Sequence, residues 1–204
     1  MSRLRGILIT AAIAAGGAEA WAGDASGGDA LSPLPGDQEI GASVGVALGG
    51  RTTPGGFQVA GDYLYRLADR DWFDGSVSFT FGSGREACFR DRQDEVLCRH
   101  GFASGFAAEV VAGVARYYGD SGDAVGPFLR AGVGARLVAF PGDDVRGIAV
   151  PLRLGAGVRA RVHEVVSVRG GAEVRAGPAW MTRDIGLEPH ASFAITAGVD
   201  FTLM

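Results

Sequence analysis

The chain has 204 residues, a formal charge of −4, 34 glycines, two cysteines and 19 basic residues, every one of them arginine. A balance this mildly acidic gives no reason to expect nucleic acid as a partner, and the length is that of one domain. The glycine content argues against long helices, and no uninterrupted apolar stretch is long enough to cross a membrane as one.

Arg3 and Arg5 precede an apolar run from Gly6 to Ala15, followed by small-residue sites at Ala18-Glu19-Ala20 and Ala20-Trp21-Ala22. This is the pattern of a cleaved secretory signal over residues 1–22. The alternative, an uncleaved anchor, would need roughly 20 apolar residues. Cleavage after Ala22 would move the formal charge to −5, and no cysteine near the site points to a lipoprotein. Residues 23–38, rich in Gly, Asp and Pro, have the composition of a flexible lead-in. Residues 39–204 form the remaining domain.

In that domain apolar residues alternate with polar or very small ones, the period of a β-strand. Glu39 to Leu48 sets Ile40, Ala42, Val44, Val46 and Leu48 against Gly41, Ser43, Gly45 and Ala47. Phe57 to Leu67 sets Val59, Tyr63 and Tyr65 against Gln58, Asp62 and Arg66, and Trp72 to Gly82 sets Phe73, Val77, Phe79 and Phe81 against Asp74, Ser76, Ser78 and Thr80. A charged segment, Gly84 to Gly101, then holds Cys88 and Cys98. In an exported protein a disulfide pinching this loop is expected, contributing on the order of 2 to 3 kcal/mol. The alternatives are free thiols or a metal site, for which His100 alone is insufficient.

The fourth strand, about Phe102 to Tyr118, sets Phe106, Ala108, Val110, Ala112 and Val114 against Gly105, Glu109 and Gly113, with the parity open from Arg116 onward. Strands five to seven, about Gly126 to Phe140, Gly147 to Val162 and Val165 to Trp180, carry a repeat. It reads Arg130-x-Gly132-x-Gly134-x-Arg136, Arg153-x-Gly155-x-Gly157-x-Arg159 and Arg169-x-Gly171-x-Glu173-x-Arg175. The eighth, about Pro189 to Leu203, sets Ala191, Phe193, Ile195, Ala197, Val199, Phe201 and Leu203 against Ser192, Thr196, Gly198, Asp200 and Thr202.

A soluble sheet turns its polar residues to water and fills its core with large apolar ones. Here the two faces read as lipid outside and a narrow charged lumen inside, which gives an all-β, eight-stranded antiparallel transmembrane β-barrel. A soluble exported barrel of lipocalin type, with its apolar face inside, is the alternative. The longer connections, around Arg51 to Gly56, Ser83 to Gly101, Pro141 to Arg146 and Met181 to Glu188, fall on one end and are read as external. Ala68 to Asp71, Gly119 to Val125 and His163 to Glu164 fall on the other. Aromatic girdles are expected at both levels. Tyr63, Tyr65, Trp72, Phe73, Tyr117, Tyr118, Phe128 and Phe201 would form the periplasmic one, and Phe57, Phe79, Phe81, Phe102, Phe140 and Trp180 the external one.

The segment Gly126-Pro127-Phe128-Leu129-Arg130-Ala131-Gly132-Val133-Gly134 is similar to the Pro-aromatic-x-x-x-Gly-x-Gly strands of small outer-membrane barrels. The last strand, Val199 to Met204, looks like their C-terminal targeting signal but ends in Met204 in place of the usual aromatic. Over residues 39–204 the chain thus resembles the superfamily typified by OmpA, OmpX and OmpW of Gram-negative bacteria. The resemblance and the strand pattern together point to a monomer in the bacterial outer membrane, with both termini periplasmic because an even strand count returns both ends to the side of the short turns. The resemblance also implies lipid and lipopolysaccharide as surroundings and the outer-membrane barrel assembly machinery as a partner, with a structural or surface-interaction role, no cofactor and no catalysis.

By parity Arg130, Arg136, Arg153, Arg159, Arg161, Arg169 and Arg175 face inward from strands five to seven, with Glu173 among them. Asp62, Asp74, Glu109 and Asp200 face them from strands two, three, four and eight. Pairing across the lumen is expected, because an eight-stranded barrel is only wide enough for side chains to fill and a buried arginine without a partner is costly. An alternative makes Arg136, Arg153 and Arg175 an attractor of small anions in a narrow pore, with the inward glycines leaving room for water. A more distant one rests on His190-Ala191-Ser192, because the lipid A deacylases of the outer membrane use a similar His-x-Ser pair with a carboxylate. Here, however, Glu188 precedes the pair, Asp200 is far along the strand, and the pair points inward. No metal site is expected, since neither His100 nor His163 has neighbours at ligand spacing.

Overall fold

Period-two alternation closes into a ring of antiparallel strands. In the computed structural model the described residues are 37–50, 52–83, 87–90, 96–99, 104–118, 124–183 and 185–203. The expected signal, residues 1–22, lies outside them, as does the expected lead-in up to residue 36; Gln38, at its end, already belongs to the first strand. The strands are β1 Gln38–Gly49, β2 Gly56–Arg66, β3 Asp71–Ser83, β4 Ala87–Arg90, β5 Val96–Arg99, β6 Ser104–Tyr117, β7 Val125–Phe140, β8 Val145–Ala149, β9 Leu152–His163, β10 Val166–Met181 and β11 Gly186–Leu203.

β8 and β9 together are the expected sixth strand. Both pair with β7 in one register, Arg136 opposite Ala149 and Val133 opposite Leu152, and both pair with β10 in one register. They are separated at Val150 and Pro151 because proline has no N–H to give the ladder. The bonds around it survive: Val150 N–H donates to Pro178 O at 3.0 Å, and Gly134 N–H to Pro151 O at 2.9 Å. Counted as one strand they bring the ring to eight, closed by β1 against β11 from Gln38 opposite Leu203 to Gly49 opposite Ser192. The start of β1 and the end of β11 therefore share one end of the barrel, the terminal end; the other is the far end.

The cysteine segment, expected as a loop, contains a two-stranded hairpin of β4 and β5 in which Cys88 stands opposite Cys98. The side chains of both, and with them the expected disulfide, lie outside the described set, as do Phe102 and His100.

The barrel is apolar outside and charged inside. Val44, Val110, Leu129, Leu154 and Ile195 are each at least half exposed, whereas Arg136, Asp74 and Asp200 are 1% exposed. Water-soluble proteins bury in the opposite sense, so the lipocalin alternative is overturned. Alternation runs unbroken through the end of β6: Arg116 and Tyr118 are exposed and Tyr117 between them turns inward.

The aromatic girdles need correction. Tyr63, Tyr65, Tyr118 and Phe201 lie on the outer surface at the terminal end, and Phe57, Phe79, Phe81 and Trp180 at the far end. Trp72, Tyr117, Phe128 and Phe140 instead lie within the barrel. Trp72 shares the phase of Asp74, and Phe128 and Phe140 that of Arg130 and Arg136, so strand parity decides their direction whatever their height.

The inward glycines make room for neighbours more than for open water. A Cβ on Gly157 would stand 2.6 Å from Phe128 Cζ, and one on Gly105 would stand 2.6 Å from Phe140 Cδ1. Small positions alternate with large ones from adjacent strands, and rings such as Phe128 and Phe140 take the room the glycines leave.

Candidate functional site

The lumen holds the charged residues read from the repeat, and they fall into three groups, each balanced in charge. At the terminal end Arg159 Nη2 donates to Glu39 Oε1 at 2.7 Å and to Ser167 Oγ at 2.9 Å. In the middle, three arginines meet three aspartates. Arg153 donates to Asp74 at 2.5 Å and to Ser76 Oγ at 2.8 Å. Arg169 pairs with Asp62 and lies 3.4 Å from Asp200, while Arg130 lies 3.7 Å from Asp62 and 3.8 Å from Asp74. Toward the far end two arginines meet two glutamates. Arg136 and Arg175 share Glu109 Oε2 at 3.3 and 3.0 Å, and Arg175 also pairs with Glu173 and donates to Gln58 at 3.2 Å.

Most of these contacts cross the lumen: β9 reaches β3 and β1, and β10 reaches β2 and β6. Glu173 is an acid within the basic wall, and Glu39 extends the acidic one to β1. Arg161, expected inside, is exposed near the end of β9, where the register with β10 shifts between Val166 and Ser167 and the strand has left the lumen. Glu39, Gln58, Ser76 and Ser167 complete the network without having been singled out; their phase along the strands was the available signal. Arg66 stands apart at the terminal end, held by the carbonyls of Ala68 and Asp69 and lying 3.6 Å from Asp37.

Packed side chains flank the ionic middle. At the terminal end Leu64, Trp72, Ala115 and Tyr117 form one apolar cluster, with ring centroids 6.0 Å apart for Trp72 and Tyr117 and 5.7 Å for Tyr117 and Phe128. Arg159 lies over Tyr117 at 5.1 Å and Arg130 over Phe128 at 5.5 Å, so the rings also meet the edge of the ionic region. At the far end Ala107, Val138, Phe140, Val145, Ala149, Ala179 and Met181 form a second cluster. Thr52, Thr53 and Pro54 of the β1–β2 connection are buried there too. A cavity of about 10 Å³ beside Phe128, Arg130, Glu173 and Thr196 is the size of one water.

Arg136, Arg153 and Arg175, the anion-attracting candidates, are each at most 2% exposed and each is paired with a carboxylate. The three clusters are each formally neutral, so none of the three arginines stands as an uncompensated positive charge. Nor do His190 and Ser192 assemble as a base and nucleophile. His190 Nδ1 shares a 2.7 Å hydrogen bond with Thr53 Oγ1, Ser192 Oγ has no hydrogen-bond partner among the described residues, and Asp200 is engaged by Arg169. A nucleophile needs its base within hydrogen-bond reach. Among the described residues no three His, Cys, Asp or Glu side chains are grouped to hold a metal ion.

No protein-family model matches the chain, and no curated protein matches it. Solved structures do. Neisserial surface protein A superposes with a TM-score of 0.57 at 15% identity, over 80% of this chain and 96% of that one. The N-terminal β-barrel domain of OprF from Pseudomonas aeruginosa gives 0.49 at 14% identity, over 82% and 99%. Ail, the attachment invasion locus protein of Yersinia pestis, gives 0.45 at 15% identity, over 82% and 100%. The first likeness is one of fold: this chain shares with that protein an eight-stranded antiparallel barrel.

Proposed function

We propose that this protein is a monomeric structural and surface-interaction barrel of the bacterial outer membrane with a closed, non-conducting lumen. The observation that carries this reading is the lumen itself, in which six arginines are balanced by six carboxylates in three neutral clusters between two packed ends. Carrying an ion through it would require breaking buried pairs, each costly to part. The longer connections and the β4–β5 hairpin at the far end support an external far end, which makes both termini periplasmic. Cys88 opposite Cys98 supports a disulfide that pins the hairpin, the element best suited to meet surface partners. Export by the 1–22 signal and assembly by the barrel machinery through the last strand belong to the same reading.

The test is expression in a Gram-negative host, gel migration of the outer-membrane fraction with and without boiling, and planar-bilayer recording of the purified protein. The expected result is a species in that fraction whose migration changes on boiling and which shows no unitary conductance. Soluble periplasmic protein with one migration state would overturn the location, and steady anion-selective steps would overturn the closed lumen.

A further inference from the structure

The connection between β1 and β2 is unlike an ordinary hairpin loop, which runs over the surface. Thr52 and Thr53 are completely buried, as is Pro54, in the far mouth of the lumen. Among the described residues two side-chain hydrogen bonds hold the segment there: Thr52 Oγ1 donates to Pro189 O at 3.2 Å, and Thr53 Oγ1 meets His190 Nδ1 at 2.7 Å. The apolar cluster of the same end does not include it. Glycines flank it, Gly49 and Gly50 before and Gly55 and Gly56 after, and Gly56 takes a φ of 134° that other residues rarely adopt. The inward fold is close: a Cβ on Gly49 would stand 2.1 Å from Thr53 O.

Several of the polar groups it covers lack partners. Arg136 gives one nitrogen to Glu109, while its Nε and Nη2, His190 Nε2 and Ser192 Oγ are buried with no hydrogen-bond partner among the described residues. In the β10–β11 register Ser192 stands opposite Arg175 and His190 opposite Gly177, so these groups lie at the level that the segment covers. Buried donors call for a partner, and bulk water supplies one as soon as the segment lifts. The two bonds that seat the segment are therefore opposed by the hydration gained when it leaves, so its two positions differ by less than the bonds alone would give.

We propose that Thr52, Thr53 and Pro54 form a cork latched by His190, which exchanges between this seated position and a withdrawn one. Withdrawal opens a blind, water-filled vestibule onto Ser192 and Arg136, whose unpartnered donors suit a small hydrogen-bond acceptor arriving from the far side. The aromatic cluster at the terminal end stays closed beneath it. This deepens the closed-lumen reading and rests on it, but is read by access and not by conductance.

The experiment uses full-length protein in intact cells, with Cys88→Ser, Cys98→Ser and Ser192→Cys, and follows labelling by a charged, membrane-impermeant thiol reagent. Slow labelling is expected with the latch intact, and labelling at least tenfold faster when Thr53→Val, which removes only the hydroxyl bond, or His190→Ala is added. Folding of each variant is checked by boiling-dependent migration, and Thr53→Val decides if His190→Ala does not fold. Equal rates with and without the latch would overturn the cork. So would an equal acceleration by Trp72→Ala, which loosens only the terminal end. Conductance in the latched protein would instead refute the closed lumen, so the two failures are distinguishable.

Discussion

Between Asp62 and Arg153 the lumen is filled by ions, whereas Trp72, Tyr117 and Phe128 at one end and Phe140 and Met181 at the other fill the same bore with rings and hydrocarbon. In the middle each charge depends on a partner from another strand, Arg153 on Asp74 and Arg169 on Asp62 and Asp200. Removing an ion from water costs several kcal/mol, so such a network stabilises only as a complete set and acts mainly to specify which strands face one another. At the ends each buried ring contributes roughly in proportion to its own area, with or without a particular partner. A narrow barrel thus takes its specificity from the middle and its seal from the ends.

The sharpest way to break the middle is Glu109→Ala, which leaves the buried guanidiniums of Arg136 and Arg175 without the carboxylate they share. A loss of about 3–5 kcal/mol is expected, read as the largest drop in unfolding midpoint in a urea titration of the folded barrel. No measurable loss would mean that Glu173 alone carries both arginines.

At the ends the expected losses are smaller. Gly157→Val places a side chain where the Phe128 ring lies and should cost about 1–3 kcal/mol by overpacking. Part of that loss should return when Phe128→Ala is added, and a double-mutant cycle measures the coupling. Strict additivity would show that the ring does not occupy the place above Gly157.

The smallest expected effect sharpens the contrast most. Replacing Glu39 and Arg159 together by Leu and Met removes a whole ion pair and should change stability by no more than about 1 kcal/mol, or raise it. Either single replacement should cost several times more. If the double variant loses as much as the singles, the ions stabilise the barrel and do not merely specify it.

Phase was legible wherever alternation ran long enough. It put Asp62, Asp74, Glu109 and the arginines of the repeat on one face before any contact was known, because side-chain direction follows from the backbone residue by residue. The same phase applied to Trp72, Phe128 and Phe140 would have placed them inside; their height along the barrel gave the wrong answer because a girdle residue needs both height and outward phase. β4 and β5 are four residues each, too short for alternation to stand out in a charged segment. The seated Thr52-Thr53-Pro54 was not legible at all, since its burial depends on contacts with Pro189 and His190 of β11, 137 residues away.

The sequence by itself determined the strands, their two faces and the residues that would line a lumen, because a period of two is a local property of extended backbone. Only the tertiary structure decided that Arg153 meets Asp74, 79 residues away, and that Arg159 meets Glu39, 120 residues away. It also decided that each inward glycine is covered by a neighbour. Both outcomes depend on the stagger between strands, which arises only when the ring closes.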